Sequence, residues 1–238
     1  MTQPSAAKFD VSRAGEYAQQ SRIGLAGYDA CHELSACMLS AALGAGKPAR
    51  VLVAGAGGTA GEIVAAARLE PQWEFVAVDP SEPMLALARQ HLDEAGLSSR
   101  VQCIPGTVAD VDLEQPFDAA IMIGVLHHLP GDTAKRDILG QIAARLRSDA
   151  PFVVAGNYRS YASQPLLMAA WANRWRMNGA DPAEVEAKMN KILHGAEPPA
   201  SEEAVFALLA DAGFETPLRF FSSLFWGAWL ARRKTYES

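Results

Sequence analysis

The stretch VLVAGAGGTAGEI at residues 51–63, with EFVAVDPSEPM at residues 74–84, decides the fold. Residues 51–54 form a short apolar run closed by glycines, which reads as a strand covered on both faces. Gly55, Gly57 and Gly58 then let the chain turn tightly and let a ligand approach the backbone, where a side chain would stand in the way. The helix that follows presents unpaired amides and the positive end of its dipole. The second run ends on Asp79, where doubly wound folds place an acid that accepts hydrogen bonds from ribose hydroxyls. Taken singly, the turn reads equally well as a tight strand-to-helix connection, and Asp79 as the opening of the next helix. Together they point to a cofactor that carries an adenosine ribose.

Strand and helix patterns alternate on both sides of this pair. Before it, apolar residues at helical spacing over 28–43 stop at Gly44-Ala45-Gly46, predicting a helix ahead of the sheet. After it come helices over 59–69 and 82–95, a strand VQCIP, a strand FDAAIMIGV, a helix over 134–146 and a strand PFVVAGN. Such alternation builds a parallel sheet with helices on both faces. The pattern then breaks. LLMAAWANRWRM and PAEVEAKMNKIL predict two helices of an insertion lying over the site. SEEAVFALLADAGF predicts a helix N-capped by Ser201, with Ala204 where a capping box wants Glu or Gln, and stopped at Gly213. Residues 218–222 and 225–231 predict an antiparallel edge hairpin. The expected architecture is α/β: a Rossmann-like doubly wound sheet, mostly parallel, with that hairpin and a helical lid. Its parts are an N-terminal helical cap (1–48), a binding core (49–157), the lid (158–200) and a closing helix and hairpin (201–238).

The ordered series VLVAGAGGTAG, VAVDPSEPMLALAR, VQCIPGTVADV, FDAAIMIGVLHHLP and LRSDAPFVVAG resembles the motifs of class I S-adenosylmethionine-dependent methyltransferases over residues 50–156. Outside the core, FD and RIGLAGYD near the N-terminus, RMNG in the insertion and AGFE with FFSSLFWGAWLARR at the end are similar to the carboxy-S-adenosylmethionine synthase branch. The resemblance selects S-adenosylmethionine over NAD, two cofactors that the turn and acid alone do not separate. It implies cofactor contacts at Tyr28, Gly55, Ala56, Gly57, Asp79, Pro80, Thr107, Val108 and Ile123. Val108 and Ile123 would form an apolar slot for adenine, and Tyr28 would close over the methionine end with its ring toward the sulfonium. Tyr28, Val108 and Ile123 also read as core side chains.

Two positions depart from the family. Val53 stands where many relatives carry an acid for the ammonium of the methionine moiety, and Thr107 stands where another acid meets the adenine amino group; Asp110 is a candidate substitute for the latter. The carboxy-S-adenosylmethionine branch also needs an arginine in the insertion to hold a carboxylate. The matching stretch offers Lys188 and Lys191, with Arg174 and Arg176 nearby, so that chemistry ranks below methyl transfer.

Candidate catalytic groups are His127 and His128, directly after the fourth strand, where the carboxyl edge of the sheet faces substrate. Either is suited to deprotonating a hydroxyl or amine near neutral pH. The alternative is that the pair caps a turn or packs near the cofactor. Tyr158, Tyr161, Met168, Trp171, Trp175 and Met177 are candidates for an apolar wall over the reacting centre. Three functions stand: a methyltransferase acting on a small molecule; an enzyme that transforms S-adenosylmethionine itself, by cyclisation with release of methylthioadenosine or by carboxy-S-adenosylmethionine formation; and a non-catalytic cofactor-fold protein.

Composition narrows the partners. The 238 residues are half hydrophobic, enough for a substantial core. A net charge of −6 and a pI near 5.4, with Lys and Arg scattered, disfavour nucleic acid. Cys31, Cys37 and Cys103 lack metal-ligand spacing, so no metal is expected. No basic, apolar leader and no run near the roughly 18 apolar residues of a membrane span is present, which predicts a cytoplasmic protein acting on a small molecule away from membranes. A homodimer is compatible with this reading.

Overall fold

A computed structural model describes residues 11–235, with side chains from residue 17. The ends of the expected first and last segments lie outside the described residues. Two helices, α1 (Val11–Gly24) and α2 (Tyr28–Leu43), precede β1 (Ala49–Ala54), α3 (Gly61–Leu69), β2 (Trp73–Asp79), α4 (Glu82–Glu94) and β3 (Val101–Pro105). Then follow β4 (Ala119–Ile123), α5 (Gly131–Arg145), β5 (Pro151–Asn157), α6 (Pro165–Met177), α7 (Pro182–Gly195), α8 (Glu202–Asp211), β6 (Leu218–Ser223) and β7 (Trp226–Arg232).

The strands form one seven-stranded sheet in the order β3-β2-β1-β4-β5-β7-β6. The first five run parallel, with Val53 beside both Ala77 and Ile121, while β7 pairs antiparallel to β5 and to β6. The order reverses between β1 and β4, and in an open α/β sheet the crevice beyond the strand ends at that point is where ligands bind.

Alternation along β1 explains why both faces are covered. Leu52 and Ala54 join one buried cluster with Met122, Leu139, Phe152 and Trp229; Val51 and Val53 join another with Leu39, Ile63, Phe75 and Ile121. Each fully buried Leu or Phe side chain contributes about 1.5–3 kcal/mol, so the two clusters fix the sheet far more firmly than any single polar contact. Val53 is held by this packing, and an acid there would exchange a core contact for a charge.

The helix over 28–43 and both lid helices occur as expected, and Ser201 Oγ accepts the Ala204 N–H at 3.2 Å. Helix α1 has no counterpart in the sequence reading. The lid is tied to the α1–α2 connection: Trp171 Nε1 donates to the Gly24 carbonyl at 2.8 Å, and Arg174 donates to the carbonyls of Ile23 and Arg22 at 3.0 Å each. Among the described residues no helix is long and apolar enough to cross a membrane.

Candidate functional site

The glycine turn is closely packed, and only glycine lets its neighbours approach so near. Gly55 has φ +73° and Gly58 φ +90°, conformations that L side chains resist. A Cβ on Gly57 would lie 2.7 Å from Asp79 Oδ2 and 2.6 Å from Met84 Cβ, and one on Gly55 would lie 2.2 Å from Val125 Cγ2. The turn's own amides are occupied: Gly55 and Ala56 donate to the Val78 carbonyl at 2.8 and 3.2 Å, Gly57 to Asp79 Oδ2 at 2.9 Å and Gly58 to the Met84 carbonyl at 2.9 Å. The turn therefore offers a ligand close backbone approach, and its hydrogen-bonding capacity lies in the groups around it.

Asp79 is the first of these. Its two oxygens accept from Gly57 N and, at 2.8 Å, from Ser81 N, which fixes the carboxylate at the end of β2 with lone pairs to spare. Burial raises its pKa above the ordinary carboxylate value, against the pull of the two amide bonds. Around it lies a small pocket with Pro80, Met84, Ile123, Val125, Leu129 and His128 on its walls.

This pocket continues into a cavity of about 920 Å³, the two sharing Tyr17, Gly55, Gly57, Ile123, Gly124 and His128. Such a volume lies at the upper end for small-molecule sites. At one end stand Tyr28, His32, Thr59 and Glu62; at the other, His127, Asn157, Tyr161, Trp226 and the lid residues Trp171, Trp175, Lys188 and Lys191. Tyr28 contacts Thr59 Oγ1 through its hydroxyl, and burial, followed by the charge of Glu62, pushes its phenol up to about 12. Tyr17, on the unforeseen α1, lies so near the turn that a Cβ on Gly58 would meet its ring at 2.3 Å.

The two histidines differ. His127 is buried, its ring packed edge-on to Trp226 with centroids 5.3 Å apart, and its Nδ1 accepts the Asn157 N–H at 3.3 Å. An Nδ1 that accepts places the proton of the neutral ring on Nε2. His128 stands at the junction of the two pockets. On the cavity wall, Asn157 Oδ1, Trp175 Nε1 and Trp226 Nε1 are buried without a hydrogen-bond partner among the described residues. Orphaned groups of this kind cost free energy unless a ligand or water meets them.

Of the positions expected to contact cofactor, the structure brings Tyr28, Gly55, Gly57, Asp79, Pro80 and Ile123 to these walls. It places Ala56 in the core behind the turn, and Val108 in the core below α5. Thr107 is exposed and closes a local capping box: its N–H and hydroxyl donate to Asp110 at 2.7 and 2.9 Å, which ties Asp110 to this turn. Within the insertion, Tyr161, Trp171 and Trp175 line the cavity, whereas Tyr158 packs against Trp229 in the main core and Met177 is exposed. Arg174 is spent on the α1–α2 connection and Arg176 on Asn173, so Lys188 and Lys191 are the lid cations at the cavity. Glu62, His32, Tyr17 and Asn157 were missed; a buried acid two residues into α3 leaves no periodic signature that separates it from a solvated one.

Residues 52–152, the stretch from β1 to β5, match the model of a family described as a methyltransferase domain. No curated protein matches the sequence. Solved structures share the fold. A candidate O-methyltransferase from Nostoc punctiforme superposes with a TM-score of 0.65 at 16% identity, over 94% of this chain and 60% of that one. The mitomycin 7-O-methyltransferase gives 0.61 at 19% identity, over 95% and 61%. Human N-acetylserotonin methyltransferase, solved in complex with S-adenosylmethionine, gives 0.54 at 16% identity, over 78% and 48%. The chain thus spans about half to two thirds of the length of these neighbours.

Proposed function

We propose that the chain is an S-adenosylmethionine-dependent methyltransferase acting on a small molecule. The observation that carries this reading is the continuous cleft that runs from Asp79 past Gly55 and Gly57 to His128 and on beneath the lid, at the point where the strand order reverses. The residues present fit the cofactor. Gly55 and Gly57 expose their backbone to the pocket beside a fixed carboxylate suited to two ribose hydroxyls, and Met84, Ile123, Val125 and Leu129 form an apolar slot next to it. Bound S-adenosylmethionine supplies an activated methyl group.

The protein's part is alignment, exclusion of water and proton removal. His128, at the junction of the two pockets, is placed to accept the proton of an acceptor hydroxyl or amine. His127 orients the turn that carries it, through Asn157 and Trp226. The aromatic wall of Tyr161, Trp171, Trp175 and Trp226 holds a flat, largely apolar acceptor. Its two orphaned indole N–H groups, with Lys188 and Lys191, favour an acceptor rich in oxygen, such as a phenol or a carboxylic acid.

A second reading makes the cofactor itself the substrate. Lys188 and Lys191 on the cavity wall are the lid cations available for the added carboxylate of carboxy-S-adenosylmethionine formation, and the lack of a lid arginine there keeps this reading below methyl transfer. Incubation with S-adenosylmethionine separates the readings. A methyltransferase yields S-adenosylhomocysteine when phenols or aromatic acids are added and no product without them; methylthioadenosine from S-adenosylmethionine alone, or carboxy-S-adenosylmethionine when a carboxylic acid able to give up its carboxyl carbon is added as donor, overturns the methyl-transfer assignment.

A further inference from the structure

Glu62 is the only carboxylate on the wall of the large cavity among the described residues, and it is an unusual one. It is 7% exposed, and the ion pair it makes is a 3.5 Å approach to His32 Nε2. His32 Nδ1 lies 2.8 Å from the Tyr28 carbonyl, which accepts but cannot donate, so Nδ1 carries a proton. A neutral His32 ring then turns a bare Nε2 lone pair toward Glu62, and only the doubly protonated ring offers it an N–H. A buried carboxylate whose ion pair with His32 lasts only while that ring is protonated is costly once the ring is neutral, and a cationic ligand group removes that cost. The first turn of α3 adds a favourable dipole for the negative form.

The position of Glu62 supplies the ligand's orientation. Asp79, at the end of β2, lines the smaller pocket and Glu62, on α3, the larger, and the two pockets join across Gly55 and Gly57. A ligand whose ribose meets Asp79 and whose chain crosses the turn ends beside Glu62, Thr59 and Tyr28. We infer that Glu62 binds the α-ammonium group of the cofactor's methionine portion, an inference that rests on the reading of the cleft as an S-adenosylmethionine site. It also accounts for Val53: β1 can keep an apolar residue in its core because the negative charge is delivered from the helix instead.

The test is calorimetric titration of wild type and Glu62→Gln with three adenosine thioethers: S-adenosylhomocysteine, its analogue with hydrogen in place of the α-amino group, and methylthioadenosine, which lacks the whole amino-acid end. Wild type should bind the deaminated analogue at least tenfold more weakly than S-adenosylhomocysteine. Glu62→Gln should lose at least tenfold for S-adenosylhomocysteine, bind the deaminated analogue no more weakly than wild type does, and keep its affinity for methylthioadenosine within about twofold. Equal loss for all three ligands, or none for any, overturns the assignment of Glu62. The wild-type comparison stands even where the variant fails to fold, because equal wild-type affinity for S-adenosylhomocysteine and its deaminated analogue also overturns it. Wild type that binds none of the three overturns the cofactor reading itself, which is a different result from wild type that binds all three without regard to the amine.

Discussion

Asp79 Oδ2 accepts the Gly57 N–H at 2.9 Å, so the acid at the end of β2 and the turn after β1 are held as one unit. The same oxygen would be only 2.7 Å from a Cβ on Gly57, which makes the glycine a condition of the bond. Replacing Asp79 by Ala removes both the ribose acceptor and this brace. S-adenosylhomocysteine should bind about 1–3 kcal/mol more weakly, the cost of losing a charge-assisted bond in a partly buried site. Calorimetry that returns wild-type affinity for Asp79→Ala would sink the ribose assignment.

The asymmetry of the histidine pair predicts unequal variants. His128→Ala should lower kcat by about 100-fold or more if it removes a general base. His127→Gln, which loses the edge-on contact with Trp226 and the Asn157 bond, should shift thermal stability and KM more than kcat. A pH–rate profile of kcat decides the matter: the acidic limb should vanish in His128→Ala and persist in His127→Gln.

The parts of this molecule that were legible in the sequence are those with a period or a fixed offset. The parallel core, the two lid helices and the hairpin announced themselves through apolar runs and glycines, and Asp79 through its place at the end of the second run. The burial of Val108 was not legible, because the chain after Gly106 folds into a capping box between Thr107 and Asp110 that carries Val108 into the core. Glu62 and His32 were hidden for a different reason. Helices α2 and α3 pack so that the pair meets across them, and nothing in either helix alone reports which residues of the other it will face.

The lid's hold on the N-terminal helices includes few hydrogen bonds, and Trp171 makes one of the partly buried ones. Trp171→Phe deletes the 2.8 Å bond to the Gly24 carbonyl while keeping a ring against Tyr161 and Phe225. Unfolding free energy should fall by about 1–3 kcal/mol, the cost of a buried carbonyl left without its donor. KM for the acceptor should rise as well, because the lid helix carries the cavity wall. Denaturant melts with unchanged midpoint would show that the lid is held by packing alone.

The Glu62–His32 pair makes stability depend on pH, with a sign fixed by which state binds the proton more tightly. Burial disfavours the charged ring, but the hydrogen bond and charge of Glu62, the Tyr28 carbonyl and the charge of Asp29 together hold His32 above its ordinary value of 6.5. The folded chain therefore holds this proton at pH values where the unfolded chain has released it. The stabilisation is fully present below about 6.5, where both states are protonated, and is lost as pH rises through the higher folded value. Tyr17, Tyr28 and Cys31, which also feel the charge of Glu62, are raised far above this window and stay neutral through it, and Asp79, the remaining group, is raised by burial from an ordinary value well below it. His32→Gln should consequently cost more stability at pH 5.5 than at pH 8.5, as measured by urea denaturation of both proteins at both values. Adding S-adenosylhomocysteine should shrink the difference at pH 5.5, because an ammonium group at Glu62 competes with the imidazolium for the same charge. A stability gap between wild type and His32→Gln that does not change with pH would mean that His32 contributes to the fold by packing alone.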